Sequence, residues 1–224
     1  MNAPGPHAPG RLITFEGGEG AGKSTQIELL AEALERAGLR VVATREPGGT
    51  PFAEGLRKLL LDKAAGDVDP LGEALLFSAA RIDHVEKVIA PALRQGAFVL
   101  CDRFTDSTRA YQGAMGGVDM RLLALLERIA LGERRPDLTL ILDVPAAEGL
   151  ARASRRGDGG DRFEARDLGY HEGLRRAFLD IAKHETARCR VIDSARPKTE
   201  VAAEILQLVS DRFHLALSAG SSVR

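Results

Sequence analysis

The segment GGEGAGKST (17–25) lies between the apolar run RLITFE (11–16) and a stretch of helical period over about 23–37, and it constrains this chain more than anything else in it. It contains the pattern G-x-x-x-x-G-K-[ST] at Gly17 through Ser24. Glycines in such a turn let the backbone curl until successive N–H groups face inward onto phosphate oxygens. A lysine placed as Lys23 reaches the β/γ-phosphates, and a hydroxyl placed as Ser24 offers a ligand to magnesium. The first turn of the following helix adds free N–H groups and the positive end of its dipole. The expected nucleotide contacts are therefore Gly17, Gly18, Glu19, Gly20, Ala21, Gly22, Lys23, Ser24 and Thr25, with ATP and Mg2+ as the implied ligands. A dinucleotide-binding G-x-G-x-x-G does not fit, because its last glycine would fall on Lys23.

Beyond the loop, short apolar runs alternate with longer helical stretches. LRVVATR (39–45), AFVLCD (97–102), LTLILD (138–143) and RCRVID (188–193) read as further strands. Helical periodicity runs through PFAEGLRKLLLD, through PLGEALLFSAARIDHVEKVIAPALRQ up to Gly96, and over about 199–214. Buried strands separated by helices predict an α/β fold in three layers, a five-stranded parallel sheet flanked by helices. The glycine- and arginine-rich stretch RASRRGDGGDR (152–162) reads as a mobile loop.

Composition narrows the function. Thirty-one basic against 32 acidic side chains leave a net charge of −1, which argues against a partner held through nucleic-acid phosphates. Cys101 and Cys189, the only cysteines, sit in apolar strand-like runs and suit a reducing, cytoplasmic setting. No apolar stretch reaches the roughly 18 residues of a spanning helix, so no membrane role is expected. A guanine-reading Asn-Lys-x-Asp segment is impossible, since Asn2 is the only asparagine. A transport or motor ATPase would be expected to bring partner domains. A small-molecule kinase needs an acceptor pocket and a mobile lid, and the arginine-rich stretch supplies a lid candidate. The carboxylate that accompanies magnesium should end a neighbouring strand; Asp102 and Asp143 both qualify, and Arg103 beside Asp102 favours the former.

The motifs FEGGEGAGKST (15–25), TREPGGT (44–50), LLFSAAR (75–81), CDRFTDSTRAYQG (101–113), RPDLTLILDV (135–144) and DRFE (161–164) resemble, in order and spacing, those of the bacterial thymidylate kinases. The resemblance covers nearly everything between residues 11 and 210. It implies a homodimeric kinase that phosphorylates dTMP to dTDP; a phosphate-loop kinase for another nucleoside monophosphate or small acceptor is the alternative. It also implies a single kinase domain over 11–215 with a lid at about 152–164, a disordered tail at 1–10 and a polar tail at 216–224.

Residue by residue, the resemblance places Glu19 beside the 3′-hydroxyl of dTMP, Glu46 at the acceptor site with a cis bond following it, before Pro47, and Arg57 and Arg103 on the acceptor phosphate. For Arg57, an exposed charge on an amphipathic helix is the rival reading. Phe77 and Arg81 fall on one helix face, as base platform and partner. Thr108 and Gln112 resemble the polar residues of the thymine edge, and Tyr111 lies beneath the deoxyribose unless it is a core tyrosine. In the lid, Arg156 aligns with the catalytic arginine, with Arg152 and Arg155 as alternates. The catalytic charges are then Lys23, Arg103 and Arg156, and the metal residues Ser24 and Asp102. Phe104 departs from the tyrosine many members carry, which removes a hydroxyl contact. The histidines show no metal-ligand spacing.

Overall fold

The computed structural model describes residues 9–62, 68–155 and 160–217. Most of the N-terminal tail, the end of the polar tail from 218 and, within the lid, Arg156 lie outside them.

The apolar runs become β1 (Arg11–Glu16), β2 (Val41–Arg45), β3 (Phe98–Asp102), β4 (Leu138–Asp143) and β5 (Cys189–Asp193). They form one parallel sheet in the order β2-β3-β1-β4-β5, with Thr14 of the central strand opposite Cys101 on one side and Thr139 on the other. Side chains alternate across each strand, and both sets are apolar, so both faces need a helical cover. Ile13, Phe15, Leu100 and Leu140 meet Ile27, Leu30 and Leu34 of α1 (Lys23–Arg36) and Val201, Ile205 and Val209 of α9 (Lys198–Phe213). Their neighbours Leu12, Val99 and Cys101 face the opposite layer, against Val85, Ile89, Ala92 and Leu131. The expected three-layer α/β architecture is the observed one.

That second layer holds α2 (Pro51–Leu61), α3 (Pro70–His84), α4 (Ala90–Arg94), α5 (Thr105–Thr108), α6 (Met120–Leu131) and α8 (Leu168–His184). The periodicity over 70–95 is not one uniform helix. A π-helical turn, Val85–Ile89, separates α3 from α4. Pro91 has no N–H to donate and its ring would crowd the Lys87 carbonyl, which the wider turn relieves. A second π-helical run, Arg109–Met115, continues α5. The loop expected from residue 152 also starts later, because α7 (Ala146–Ser154) carries Arg152 on its last turn.

Candidate active site

The phosphate-binding segment leaves β1 at Glu16 and enters α1 at Lys23 through Gly22, whose φ of 87° is left-handed. Side chains of Thr50, Asp69, Asp119 and Asp167 cap α2, α3, α6 and α8, whereas no side chain caps α1. Its opening N–H groups therefore stay available to an anion. Lys23 Nζ is held at the mouth of the loop by the carbonyls of Gly17 (3.2 Å) and Gly18 (3.0 Å). Its pKa is lowered, by burial first and then by the nearby Arg103 charge. The loop leans on α7. A Cβ at Gly20 would lie 1.9 Å from the Gly149 carbonyl oxygen, and one at Gly149 only 2.4 Å from that of Glu19.

Ser24 Oγ donates to Asp102 Oδ2 at 3.1 Å, while Asp102 Oδ1 is buried with no hydrogen-bond partner. Asp143, the rival carboxylate, is held by a two-pronged contact with Arg175 at 2.7 and 2.8 Å. The hydroxyl and the orphaned carboxylate oxygen form a hard-oxygen pair at the loop, the donor chemistry that magnesium takes.

Next to Asp102 the chain turns sharply. Arg103 has φ 63°, unusual for a residue with a side chain, and its guanidinium reaches Gly17 and Glu19 of the phosphate loop. Nη1 donates to the Gly17 carbonyl at 3.1 Å, Nη2 to Glu19 Oε1 at 2.5 Å, and the group sits 5.2 Å above the Tyr111 ring. The Tyr111 hydroxyl also donates to Glu19 Oε1, at 2.8 Å. Burial would raise the Glu19 pKa, but the Arg103 and Lys23 charges and the Tyr111 hydrogen bond outweigh it and hold the group down at about 2. Behind this turn Glu16, fully buried, accepts from the backbone N–H groups of Phe104 and Ser107 and from the Ser107 hydroxyl at 2.6 Å. Burial, and then the Asp106 charge, push its pKa up to about 7.

The far half of the cavity is built on α3. Arg81, 4% exposed, donates through Nε to Glu46 Oε2 at 2.6 Å and through Nη2 to the Phe104 carbonyl and Thr108 Oγ1. Its guanidinium lies over the buried Phe104 ring, so the phenyl departure noted in the sequence packs as a platform. Glu46 follows β2, and its bond to Pro47 is cis. His84, wholly buried, joins Glu46 through Nδ1 and Thr44 through Nε2. The ligand atoms of Glu46, His84 and Cys101 lie within 4.8 Å of one another, but both Glu46 oxygens and both His84 nitrogens are engaged in hydrogen bonds. The cluster is a scaffold for Arg81, and the engaged imidazole offers no free nitrogen to a metal. Gln112 donates to buried Glu73 at 2.8 Å. Arg57 is half-buried and anchored on the Pro47 carbonyl, so it is not the freely solvated charge of the rival reading.

In the lid, Arg152 donates to the Ser194 carbonyl at 2.8 Å and to Glu148. Arg155 is exposed and does not line the cavity. Arg162 is half-buried against Glu73 and Phe163. The sequence reading missed Glu16, Glu73, His84 and Gly149. A signal for two of them was present: Glu73, Phe77, Arg81 and His84, at spacings of four, four and three, mark one polar-aromatic stripe on a buried helix.

The phosphate loop from Glu19 onward and the acceptor-side groups line one cavity of about 530 Å³, with Glu16, Glu73 and His84 outside its lining. One end is lined by Lys23, Ser24 and Asp102, the other by Phe77, Arg81, Thr108 and Gln112, and Glu19, Arg103 and Tyr111 lie between them. A phosphate loop facing a buried polar-aromatic pocket across a paired cation defines a phosphate-loop nucleotide kinase.

The thymidylate kinase family profile matches residues 15–205. The chain is 54% identical to a thymidylate kinase of Bradyrhizobium sp. (strain ORS 278) over 214 residues, 95% of each chain. It is 53% identical to the one from Nitrobacter hamburgensis over 217 residues, covering 96% of this chain and 94% of the relative. The crystal structure of thymidylate kinase from Ehrlichia chaffeensis superposes with a TM-score of 0.73 at 39% identity, over 90% of this chain and 99% of that one. This chain belongs to the thymidylate kinase family and is a nucleoside monophosphate kinase.

Proposed function

We propose that the protein transfers the γ-phosphoryl group of ATP to dTMP, giving ADP and dTDP. The observation that carries this reading is the single cavity in which the phosphate loop and the Phe77–Arg81 pocket face each other across Arg103. An acceptor phosphate is already ionised near neutral pH, so the reaction needs no general base. It needs two anions placed head to head and their repulsion cancelled. Loop N–H groups and Lys23 hold the donor phosphates, Arg103 and Arg57 receive the acceptor phosphate, and Phe77 and Arg81 take the base. Tyr111 and Glu19, already joined to each other, sit where the sugar passes between base and phosphate. Ser24 and Asp102 would hold Mg2+, which neutralises charge on the β- and γ-oxygens when bound. Arg152 and Arg155 precede the lid position assigned to Arg156, whose charge would act on the transferring group.

Two further readings go with this one. Both cysteines are buried and unpaired, which supports a reducing, cytoplasmic setting, and no helix among the described residues is long and apolar enough to cross a membrane. A homodimer is supported by the outward faces of α2, α3 and α6. Phe52, Leu59, Leu71, Leu75, Ile82, Met120, Leu125 and Ile129 are exposed there, eight of the ten large apolar side chains exposed among the described residues.

The test is ATP-dependent phosphorylation across a panel of nucleoside monophosphates, followed by coupled ADP release. dTMP should be the preferred acceptor. Turnover of another monophosphate with dTMP inert would reassign the acceptor, and ATP hydrolysis independent of any acceptor would remove the kinase reading.

A further inference from the structure

Glu73 stands on the first turn of α3, 6% exposed, and its carboxylate has two partners from different parts of the chain. Oε2 accepts from Gln112 Nε2 at 2.8 Å. Oε1 is 2.6 Å from Arg162 Nη2, a buried charge pair whose angle is too poor for a hydrogen bond. Arg162 is itself fixed, because Nε donates to the Leu60 carbonyl at the end of α2 and the guanidinium lies 4.5 Å above the Phe163 ring. Phe163 in turn meets the Tyr111 ring edge-on at 5.4 Å. One carboxylate thus joins the wall of the acceptor pocket to the segment at the foot of the lid.

The chemistry of this contact is directional. A carboxylate paired with an arginine can only accept hydrogen bonds, so Gln112 must turn its NH2 group toward Glu73. Its Oε1 is then the other end of the amide, without a protein partner among the described residues, on a side chain that lines the cavity. An acceptor so fixed matches a pyrimidine that carries a proton on N3, as thymine and uracil do. It opposes cytosine, whose N3 is itself an acceptor.

We propose that Glu73 is a specificity-determining positioning residue: its carboxylate, bonded to the Gln112 amide and paired with Arg162 at once, fixes that amide with its oxygen toward the base and ties this orientation to the lid segment. This rests on the acceptor pocket proposed above. Without the carboxylate the amide is free to rotate, since a neutral partner both donates and accepts. The site then loses one of its means of rejecting cytosine, and rejection of this kind depends on leaving a buried polar group unpaired.

The experiment compares kcat/KM for dTMP and dCMP in the wild type, Glu73→Gln, Gln112→Ala and the double variant. Wild-type activity on dTMP is the control for the acceptor reading itself; its absence would overturn both readings, whereas the outcomes below bear on Glu73 alone. Glu73→Gln is near-isosteric and should narrow the dTMP:dCMP ratio about tenfold, with KM for ATP unchanged. In the Gln112→Ala background the same change should narrow it no further, because Glu73 acts through that amide. Arg162→Met, which leaves every base contact in place, should also narrow the ratio, and it serves if Glu73→Gln does not fold. An unchanged ratio in these variants overturns the proposal. So does equal narrowing with and without Gln112, or a parallel fall for both acceptors and ATP.

Discussion

Lys23 is the residue on which the transfer reading depends most directly. Replacing it by alanine removes the one loop charge that reaches the transferring group. Turnover should fall on the order of 10³-fold, about 4 kcal/mol of transition-state stabilisation. Steady-state kinetics on folded protein decide this, and near-normal kcat would remove the loop from the chemistry. Glu16 makes a different prediction. Its folded pKa of about 7 lies above the ordinary 4.5, so the folded state binds a proton that the unfolded chain has released. Its contribution is intact below pH 4.5 and is lost as pH rises through 7, amounting to about 3 kcal/mol in all. Glu16→Gln keeps a neutral group in place at every pH. Relative to wild type, the variant should gain stability between pH 5 and pH 8, measured by urea unfolding at both. A constant difference would mean that Glu16 titrates as an ordinary carboxyl. The sequence displayed Lys23 through its motif, but it could not display Glu16, which is a strand residue until Ser107 and Phe104 fold back onto it.

At the scale of elements, the loop and α7 approach closely backbone to backbone at Gly20 and Gly149. A glycine inside a helix ordinarily gains stability on becoming alanine. Gly149→Ala should do the reverse, because the new methyl would meet the Glu19 carbonyl at 2.4 Å and backbone cannot swing aside. A loss of about 1–3 kcal/mol is expected, together with a higher KM for ATP as the loop is displaced. Thermal unfolding and ATP saturation curves check both effects, and a stabilised variant with unchanged KM would show that α7 yields. Element type was legible from periodicity, and strand ends fell within two residues of those read from the sequence. The π-turns were not legible. They conserve the apolar stripe that periodicity detects and alter only which carbonyl each N–H reaches. The lid boundary was misplaced for a related reason. Arg152 sits in a sequence rich in loop-forming residues, yet it is held on the last turn of α7 by Glu148 and the Ser194 carbonyl.

For the whole molecule, the sheet order decides which parts of the chain meet, and no local pattern specifies it. Residues 17–25, 46, 73–84, 102–112 and 161–163 are far apart in sequence and line one cavity or its wall because β1 and β3 are neighbours. Family resemblance, more than spacing, gave the acceptor residues beforehand, and it was silent on the buried carboxylates behind them. The exposed apolar faces of α2, α3 and α6 make the prediction at this scale. Changing Leu75 and Ile129 together to glutamate should give a particle of one chain's mass in light scattering, where the proposed homodimer would have two. A wild type already of single-chain mass, or an unaffected double variant, would remove that face as the interface.

Asp102 and Arg103 are consecutive residues with different partners in the cavity, the one bonded to Ser24 at the donor end and the other to Glu19 at its middle. The left-handed turn at Arg103 makes this possible. Adjacent Cα atoms across a trans peptide are separated by about 3.8 Å whatever the surroundings do. The two side chains therefore leave the backbone at a spacing set by covalent geometry, and the bonds of Arg103 to Gly17 and Glu19 hold its cation in place. Breathing of the helices or swinging of the lid can open the cavity and change who enters. It does not change that backbone spacing, whereas a single residue inserted between 102 and 103 would put it permanently out of gauge.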